Sequence, residues 1–284
     1  MTTTLEVLAP GPLATVQDLG RPGLAALGVG RSGAADRSAL RLANRLVGNP
    51  EDAAALELTF GGLRLRTDAA VTLALTGAPC PLSVGGRAAG MNAPLSLRPG
   101  EELELGTPTW GTRTYLAARG GIDVPEVLGS RSTDTLAGLG PPPLRAATLL
   151  PLGTRALHLP RIDQAPVRLP APVLRIEPGP RTHWFTPDAL TLLHTEPYRV
   201  TAESNRIGAR LDGPELRRAE TAELEPEGMM LGSLQVPPHG RPVLLLADHP
   251  VTGGYPVIAV VVDEDVDRAA QLRPGDEVRF RPAP

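Results

Sequence analysis

Leu5-Glu-Val-Leu-Ala-Pro-Gly-Pro12 returns later in the chain as Leu174-Arg-Ile-Glu-Pro-Gly-Pro180. Leu97-Arg-Pro-Gly-Glu101 likewise returns as Leu272-Arg-Pro-Gly-Asp276. The spacing between partners is nearly the same for the two echoes, which reads as an internal pseudo-repeat. Leu-Arg-Pro-Gly followed by an acid is also a common turn before a strand. Outward from these echoes the chain is punctuated by 32 prolines and 31 glycines, so elements are short. Between them lie the apolar runs Val71–Thr76, Thr114–Ala118, Val243–Ala247 and Val257–Val262. Short strands with frequent turns suggest barrels or sandwiches. Few helices are expected. The clearest covers Ala34 to Leu46, with Leu40, Ala43, Leu46 and Val47 on one face and Gly48 placed to stop it. Weaker patterns cover Asp188–His194, after Pro187, and Val266–Leu272. The expected fold is therefore mainly β: one β domain over 1–137, a Pro/Leu-rich connector over 138–172, and a second β domain over 173–284.

Composition narrows the function. With 284 residues and 42% apolar content, the chain can bury sizeable cores. No run approaches the roughly 18 apolar residues of a membrane span, and Met1-Thr-Thr-Thr-Leu-Glu6 lacks the pattern of a secretion signal. A net charge of −3, with both signs interspersed, gives no nucleic-acid or membrane surface. Cys80 is the sole cysteine, which rules out an intrachain disulfide or a multi-cysteine metal site. A cytoplasmic location is the expectation. All 28 basic residues are arginine, so Schiff-base and Walker A lysine chemistry are excluded.

Several polar motifs could carry chemistry. Gly28-x-Gly30-x-x-Gly33 matches the dinucleotide fingerprint in letters. It lacks the preceding buried strand and the βαβ setting that the fingerprint requires. A Gly-rich turn feeding a helix can still offer backbone N–H groups to an anion; alternatively, Ser32 or Asp36 caps that helix. Gln17, Asp18 and Arg21 cluster in a Gly/Pro context, as a site or as a braced turn. Arg131 and Ser132 in Gly129-Ser-Arg-Ser-Thr-Asp134, and Asn205 and Arg206 in Glu203-Ser-Asn-Arg-Ile-Gly208, read as anion clamps or solvated loops. Gln235 lies in an apolar strand start and should have a specific partner. Asp248-His249, at a strand end before Thr252-Gly-Gly-Tyr255, is the best acid/base candidate. No histidine pair has metal-ligand spacing, so no metal is expected.

These blocks are collinear with one family. Thr15-Val-Gln-Asp-Leu-Gly-Arg21, Ser32-Gly-Ala-Ala-Asp36, Ala55-Leu-Glu57, Gly129-Ser-Arg-Ser-Thr-Asp134, Asn205-Arg-Ile-Gly208, Gln235-Val-Pro, Thr252-Gly-Gly-Tyr-Pro256 and Ala270-Gln-Leu-Arg-Pro-Gly275 together resemble the allophanate hydrolase subunit 2, or biotin-dependent carboxyltransferase, family. The resemblance covers nearly the whole chain. It implies two cyclophilin-like β-barrel domains. At the last site Pro250-Val251 stand where the family usually has Gln-Thr. Pro226-Glu-Gly-Met-Met230 replaces a stretch that in relatives commonly carries a small polar residue.

Family members include the C component of bacterial ATP-dependent 5-oxoprolinase, the regulator KipA and the carboxyltransferase part of urea carboxylase. The resemblance implies ATP-driven opening of 5-oxoproline to glutamate. It also implies two partners, a KipI-like B component and a lactam-utilisation-like A component. On that reading Asp248, His249 and Gln235 are catalytic. Gln17, Asp18, Arg21, Ser32, Asp36, Arg131, Ser132, Asn205, Arg206, Thr252, Gly253, Gly254 and Tyr255 then bind substrate or anion. Two alternatives remain: a carboxyltransferase that takes carboxybiotin from a separate carrier to a small amide such as urea, and a KipA-like regulator that binds a KipI-like kinase inhibitor.

Overall fold

A computed structural model describes residues 3–159, 164–166 and 173–284. Parts of the expected connector, 160–163 and 167–172, lie outside the described residues. The chain forms two compact units. The first takes in 3–21, 32–134, 138–159 and 164–166; the second takes in 22–31, 135–137 and 173–284.

The first unit is built on two antiparallel sheets. One has the order Leu149–Pro151, Thr4–Pro10, Leu63–Thr67, Glu102–Leu105, Leu82–Val84, Arg87–Ala88; the other runs Leu13–Gln17, Ala55–Thr59, Arg113–Ala118, Val71–Gly77, Pro94–Leu97. Leu63-Arg-Leu-Arg-Thr67 shows the period of two. Leu63 and Leu65 enter the core, while Arg64 and Arg66 pair outside with Glu102, Glu104 and Glu6. Leu5, Val7 and Leu103 of the first sheet meet Val16, Leu56, Leu58 and Leu116 of the second in one shared core.

The second sheet is covered on its other face as well. Helix α1 (Arg37–Val47) lays Leu40, Ala43, Leu46 and Val47 against Ala55, Ala74, Tyr115 and Ala117. Arg113–Ala118 is therefore buried at every position, as expected of a strand covered on both sides. Asp36 caps α1 by accepting from Ala39 N at 2.9 Å, so the helix begins at Arg37 rather than Ala34. Gly48 closes it at φ 74°.

The second unit is a closed barrel of seven strands. Their order is Val173–Pro178, Val257–Val261, Ser233–Gln235, Val243–Leu245, Gly208–Asp212, Tyr198–Val200, Glu277–Pro282. The last strand returns beside the first in parallel, with Leu174 opposite Phe280. Leu174, Ile176, Leu234, Leu244, Ile258 and Phe280 fill the interior. Helix α2 (Pro187–Thr195) adds Ala189 and Leu193, and α3 (Asp263–Ala269) adds Val266 and Ala269. Helix α3 starts three residues before the expected Val266. A two-stranded ribbon, Glu227–Gly228 with Thr252–Gly253, stands apart from the barrel. The chain is thus mainly β, with three α-helices among the described residues. One of the two expected barrels closes; the first unit is two sheets around a common core.

The sequence echoes have a physical basis. Gly11 and Gly179 each follow a strand end and meet backbone from elsewhere in their own unit, a turn for Gly11 and a strand for Gly179. An added Cβ would lie 2.0 Å from the Gly61 carbonyl oxygen and 2.4 Å from that of Val257, respectively. Only glycine allows such approaches. The two Leu-Arg-Pro-Gly-acid segments form the same turn. Glu101 accepts from Arg98 N at 2.9 Å, Asp276 accepts from Arg273 N at 2.8 Å, and a strand follows each.

Candidate functional site

In the first unit the polar motifs converge on residues 129–134. Asp18, at the end of the Leu13–Gln17 strand and nearly buried, is their hub. Its Oδ1 accepts from Gly20 N at 2.8 Å, Ser130 Oγ at 2.7 Å and Ser132 Oγ; its Oδ2 accepts from Arg131 N at 2.7 Å. Gln17 donates Nε2 to the Thr133 carbonyl at 2.9 Å, and Ser32, at φ 53°, donates Oγ to the same carbonyl at 3.2 Å. Arg21 is 1% exposed. It donates Nη2 to the Ser132 carbonyl at 2.6 Å, and its Nη1 lies 4.0 Å from Asp134 Oδ2. Two buried atoms on these side chains have no hydrogen bond among the described residues: Gln17 Oε1, an acceptor, and Arg21 Nη1, a donor. Desolvated polar atoms of this kind are costly.

Two residues of the expected cluster face elsewhere. Arg131 gives its backbone N–H to Asp18, but its guanidinium binds Asp123 at 3.0 Å and Glu126 at 2.5 Å and donates Nε to the Val124 carbonyl. Asp36 serves at the helix start, where its N–H donates to Tyr115 Oη at 2.8 Å. Tyr115 in turn donates to Glu57 Oε2 at 2.7 Å. Glu57 also accepts from Ala35 N and pairs with Arg113 at 3.4 Å. Burial first, then the carboxylates of Glu57 and Asp36, hold the Tyr115 hydroxyl well above its ordinary pKa, so it remains a donor.

In the second unit Arg206 and Asp248 form a buried fork. Nε reaches Oδ2 and Nη2 reaches Oδ1, each at 2.9 Å. The side chains are 2% and 0% exposed. Asp248 Oδ2 also accepts from Thr135 N at 3.0 Å and Thr135 Oγ1 at 2.7 Å. These donors hold the carboxylate in place. Asn205 shapes the loop by accepting from Ile207 N at 2.8 Å, an Asx turn. His249 lies next in the chain, half-buried, with Nδ1 2.8 Å from the Pro250 carbonyl oxygen. A carbonyl can only accept, so Nδ1 is the donor here, and in the neutral ring Nε2 is then an acceptor.

Gln235 sits half-buried on the outer barrel wall, beside Val243 and Val257, with no side-chain hydrogen bond among the described residues. The specific partner expected for it is not found among them. Thr252 and Gly253 belong to the two-stranded ribbon, and Tyr255 beyond them is 43% exposed. Gly253 is packed under Met229, where a Cβ would come within 3.1 Å of the methionine side chain. Clefts of about 330 Å³ (bordered by Thr201, Arg210 and Arg241) and about 350 Å³ (bordered by Val16, Val127 and Pro141–Pro143) do not include Arg206, Asp248 or His249.

Comparison with known proteins places this geometry in context. The family model described as carboxyltransferase domain, subdomain A and B, matches residues 27–282. The chain is 37% identical to the C component of 5-oxoprolinase from Escherichia coli (strain K12), over 97% of this chain and 90% of that protein. It is 32% identical to the component of the same name from Haemophilus influenzae, with the same coverage. Among solved structures, K. lactis urea amidolyase superimposes with a TM-score of 0.91 at 30% identity. That match covers 99% of this chain but 19% of the amidolyase chain.

Proposed function

From the carboxyltransferase subdomain A and B family, to which this chain belongs, we propose that it acts as the C component of an ATP-dependent 5-oxoprolinase, opening 5-oxoproline to glutamate. Its partners on this reading are a KipI-like B component and a lactam-utilisation-like A component. The observation that carries the proposal is the match to the 5-oxoprolinase C components across 90% of their length, against 17% for the urea amidolyases.

A lactam is a poor electrophile, and ring opening needs its carbonyl activated and water delivered. ATP supplies the activation by phosphoryl transfer. The described residues do not form a triphosphate cradle: Arg131 and Arg206 face carboxylates of the chain itself, and Arg21 is buried against carbonyls. On this reading the nucleotide is bound with the partner components. What this chain offers is polar groups for an amide. His249 Nε2 can accept a proton from water, its ring oriented by the Pro250 carbonyl, while Arg206 and Asp248 anchor the loops that carry it.

The likeness to urea amidolyase supports a second reading, carboxyl transfer to a small amide. Biotin is carried on a lysine, and these residues include none, so the carrier would lie outside this sequence.

The test is formation of ADP and glutamate dependent on 5-oxoproline, with the three components mixed and then with this chain omitted. Turnover that requires this chain supports the proposal. No turnover from a soluble assembled complex refutes it, and biotin binding is then measured for the carboxyltransferase reading.

A further inference from the structure

Arg218 stands out in the second unit as a half-buried cation that its own chain leaves uncompensated. Its Nη2 donates to the Val236 carbonyl. Its Nε is buried and has no hydrogen-bond partner among the described residues. No carboxylate lies within 4.0 Å of it among those residues. This sets it apart from Arg21, Arg131, Arg175, Arg181 and Arg206, each within 4.0 Å of an acid. An arginine withdrawn from water without a counter-charge is costly unless an anion completes it. Burial lowers its pKa, in keeping with that cost, and Tyr255 acts on it in the opposite direction.

Backbone hydrogen bonds place Tyr255 beside it. Val236, whose carbonyl accepts from Arg218, donates its own N–H to the Pro256 carbonyl at 3.0 Å, and Tyr255 precedes Pro256. Tyr255 is 43% exposed, and its hydroxyl makes no hydrogen bond among the described residues. Gln235, next in the chain to Val236, also has an amide with no partner among those residues. Two side chains with spare donors, Arg218 and Tyr255, thus lie close together beside Val236 and Pro256.

We propose that Arg218 and Tyr255 form a carboxylate-binding site, with the guanidinium as the fork and the phenol as a third donor. The ligand class is a small amide-bearing monocarboxylate. Identifying that ligand as 5-oxoproline rests on the proposed function; the site itself rests on Arg218. The distinction is chemically useful, because urea has no carboxylate and 5-oxoproline has one.

The experiment is calorimetric titration of the full chain with 5-oxoproline, with its uncharged analogue 2-pyrrolidinone, and with succinamate, an open-chain amide acid. The wild type should bind both acids more tightly than 2-pyrrolidinone. Arg218→Gln should weaken the acids roughly ten- to a hundredfold, the range for hydrogen bonds to charged groups, and leave 2-pyrrolidinone unchanged. Arg218→Lys, which keeps the charge, should recover part of the loss, and Tyr255→Phe should weaken the acids several-fold. Equal affinity of the wild type for 5-oxoproline and 2-pyrrolidinone, or acid binding that survives Arg218→Gln, overturns the proposal. Equal wild-type affinities overturn the proposal without any variant, and Arg218→Lys checks that a loss in Arg218→Gln is not a folding defect. If the acids bind through Arg218 but the assembled components do not turn over 5-oxoproline, the proposed function fails and the site stands. Turnover with no such discrimination gives the reverse.

Discussion

Replacing Asp248 by leucine should strip the second unit of much of its stability. The carboxylate is fully buried, holds Arg206 through two bonds of 2.9 Å and accepts twice from Thr135. Breaking a buried ion pair from one side costs about 3–5 kcal/mol, because the remaining buried charge loses its counter-ion. Thr135 loses its acceptor as well, so the cost should lie at about 4 kcal/mol or more. Arg206→Met leaves Asp248 with the Thr135 donors and should cost about 3 kcal/mol. The double variant buries no charge. The Thr135 donors are left unsatisfied, so it should cost about 1–3 kcal/mol. The double variant should therefore fall at least about 4 kcal/mol short of the sum of the singles. Urea unfolding read by fluorescence measures this. A Trp110→Phe background leaves Trp184, in the second unit, as the sole tryptophan. A cost below about 1 kcal/mol for Asp248→Leu, or additive singles, would refute the view that this pair holds the loops together.

Local chemistry supplies two further tests. Tyr115→Phe removes the hydroxyl shared by Glu57 and Asp36 N, and should lower the unfolding free energy by about 1–3 kcal/mol. The alkaline tyrosine titration of the folded protein should not change, because that hydroxyl stays protonated; a lost titrating group would contradict it. His194 has its pKa lowered, by burial first and by Arg281 second, and its Nδ1 is buried without a hydrogen bond among the described residues. The unfolded chain then binds the proton more readily than the folded one, so stability is lost as pH falls below about 6.5, the ordinary histidine value. His194→Gln should flatten that slope in urea titrations between pH 7 and 5, and an unchanged slope would remove His194 as its cause.

The elements legible in the sequence are those whose signal is local. Leu40, Ala43, Leu46 and Val47 mark α1 by their spacing, and Gly48 marks its end. Spacing alone places its start too early because Ala34 and Ala35 read as helix formers, whereas the cap at Asp36 depends on where one side chain points. The Pro-Gly-Pro and Leu-Arg-Pro-Gly echoes are legible because backbone geometry forces the same residues twice. Arg131 reads as an open clamp although Asp123 and Glu126, which hold its guanidinium, lie only a few residues upstream. Glu57 and Tyr115 do not read as a network. A carboxylate on a strand covered on both faces is a signal, but only once α1 is known to cover it. Arg218 sits in Glu215-Leu-Arg-Arg-Ala-Glu220, which reads as a solvated charge run; its isolation from acids is a fact of three dimensions.

The parallel pairing of Val173–Pro178 with Glu277–Pro282 has a consequence for biosynthesis. A strand made early in the second unit must wait for about a hundred further residues before its neighbour exists, and long waits of this kind slow folding. Until then Leu174 and Ile176 line an open seam, and the barrel wall lacks Val278 and Phe280. A ribosome stalled before residue 277 would therefore display an unsealed sheet edge. That nascent form is the one most in need of a chaperone.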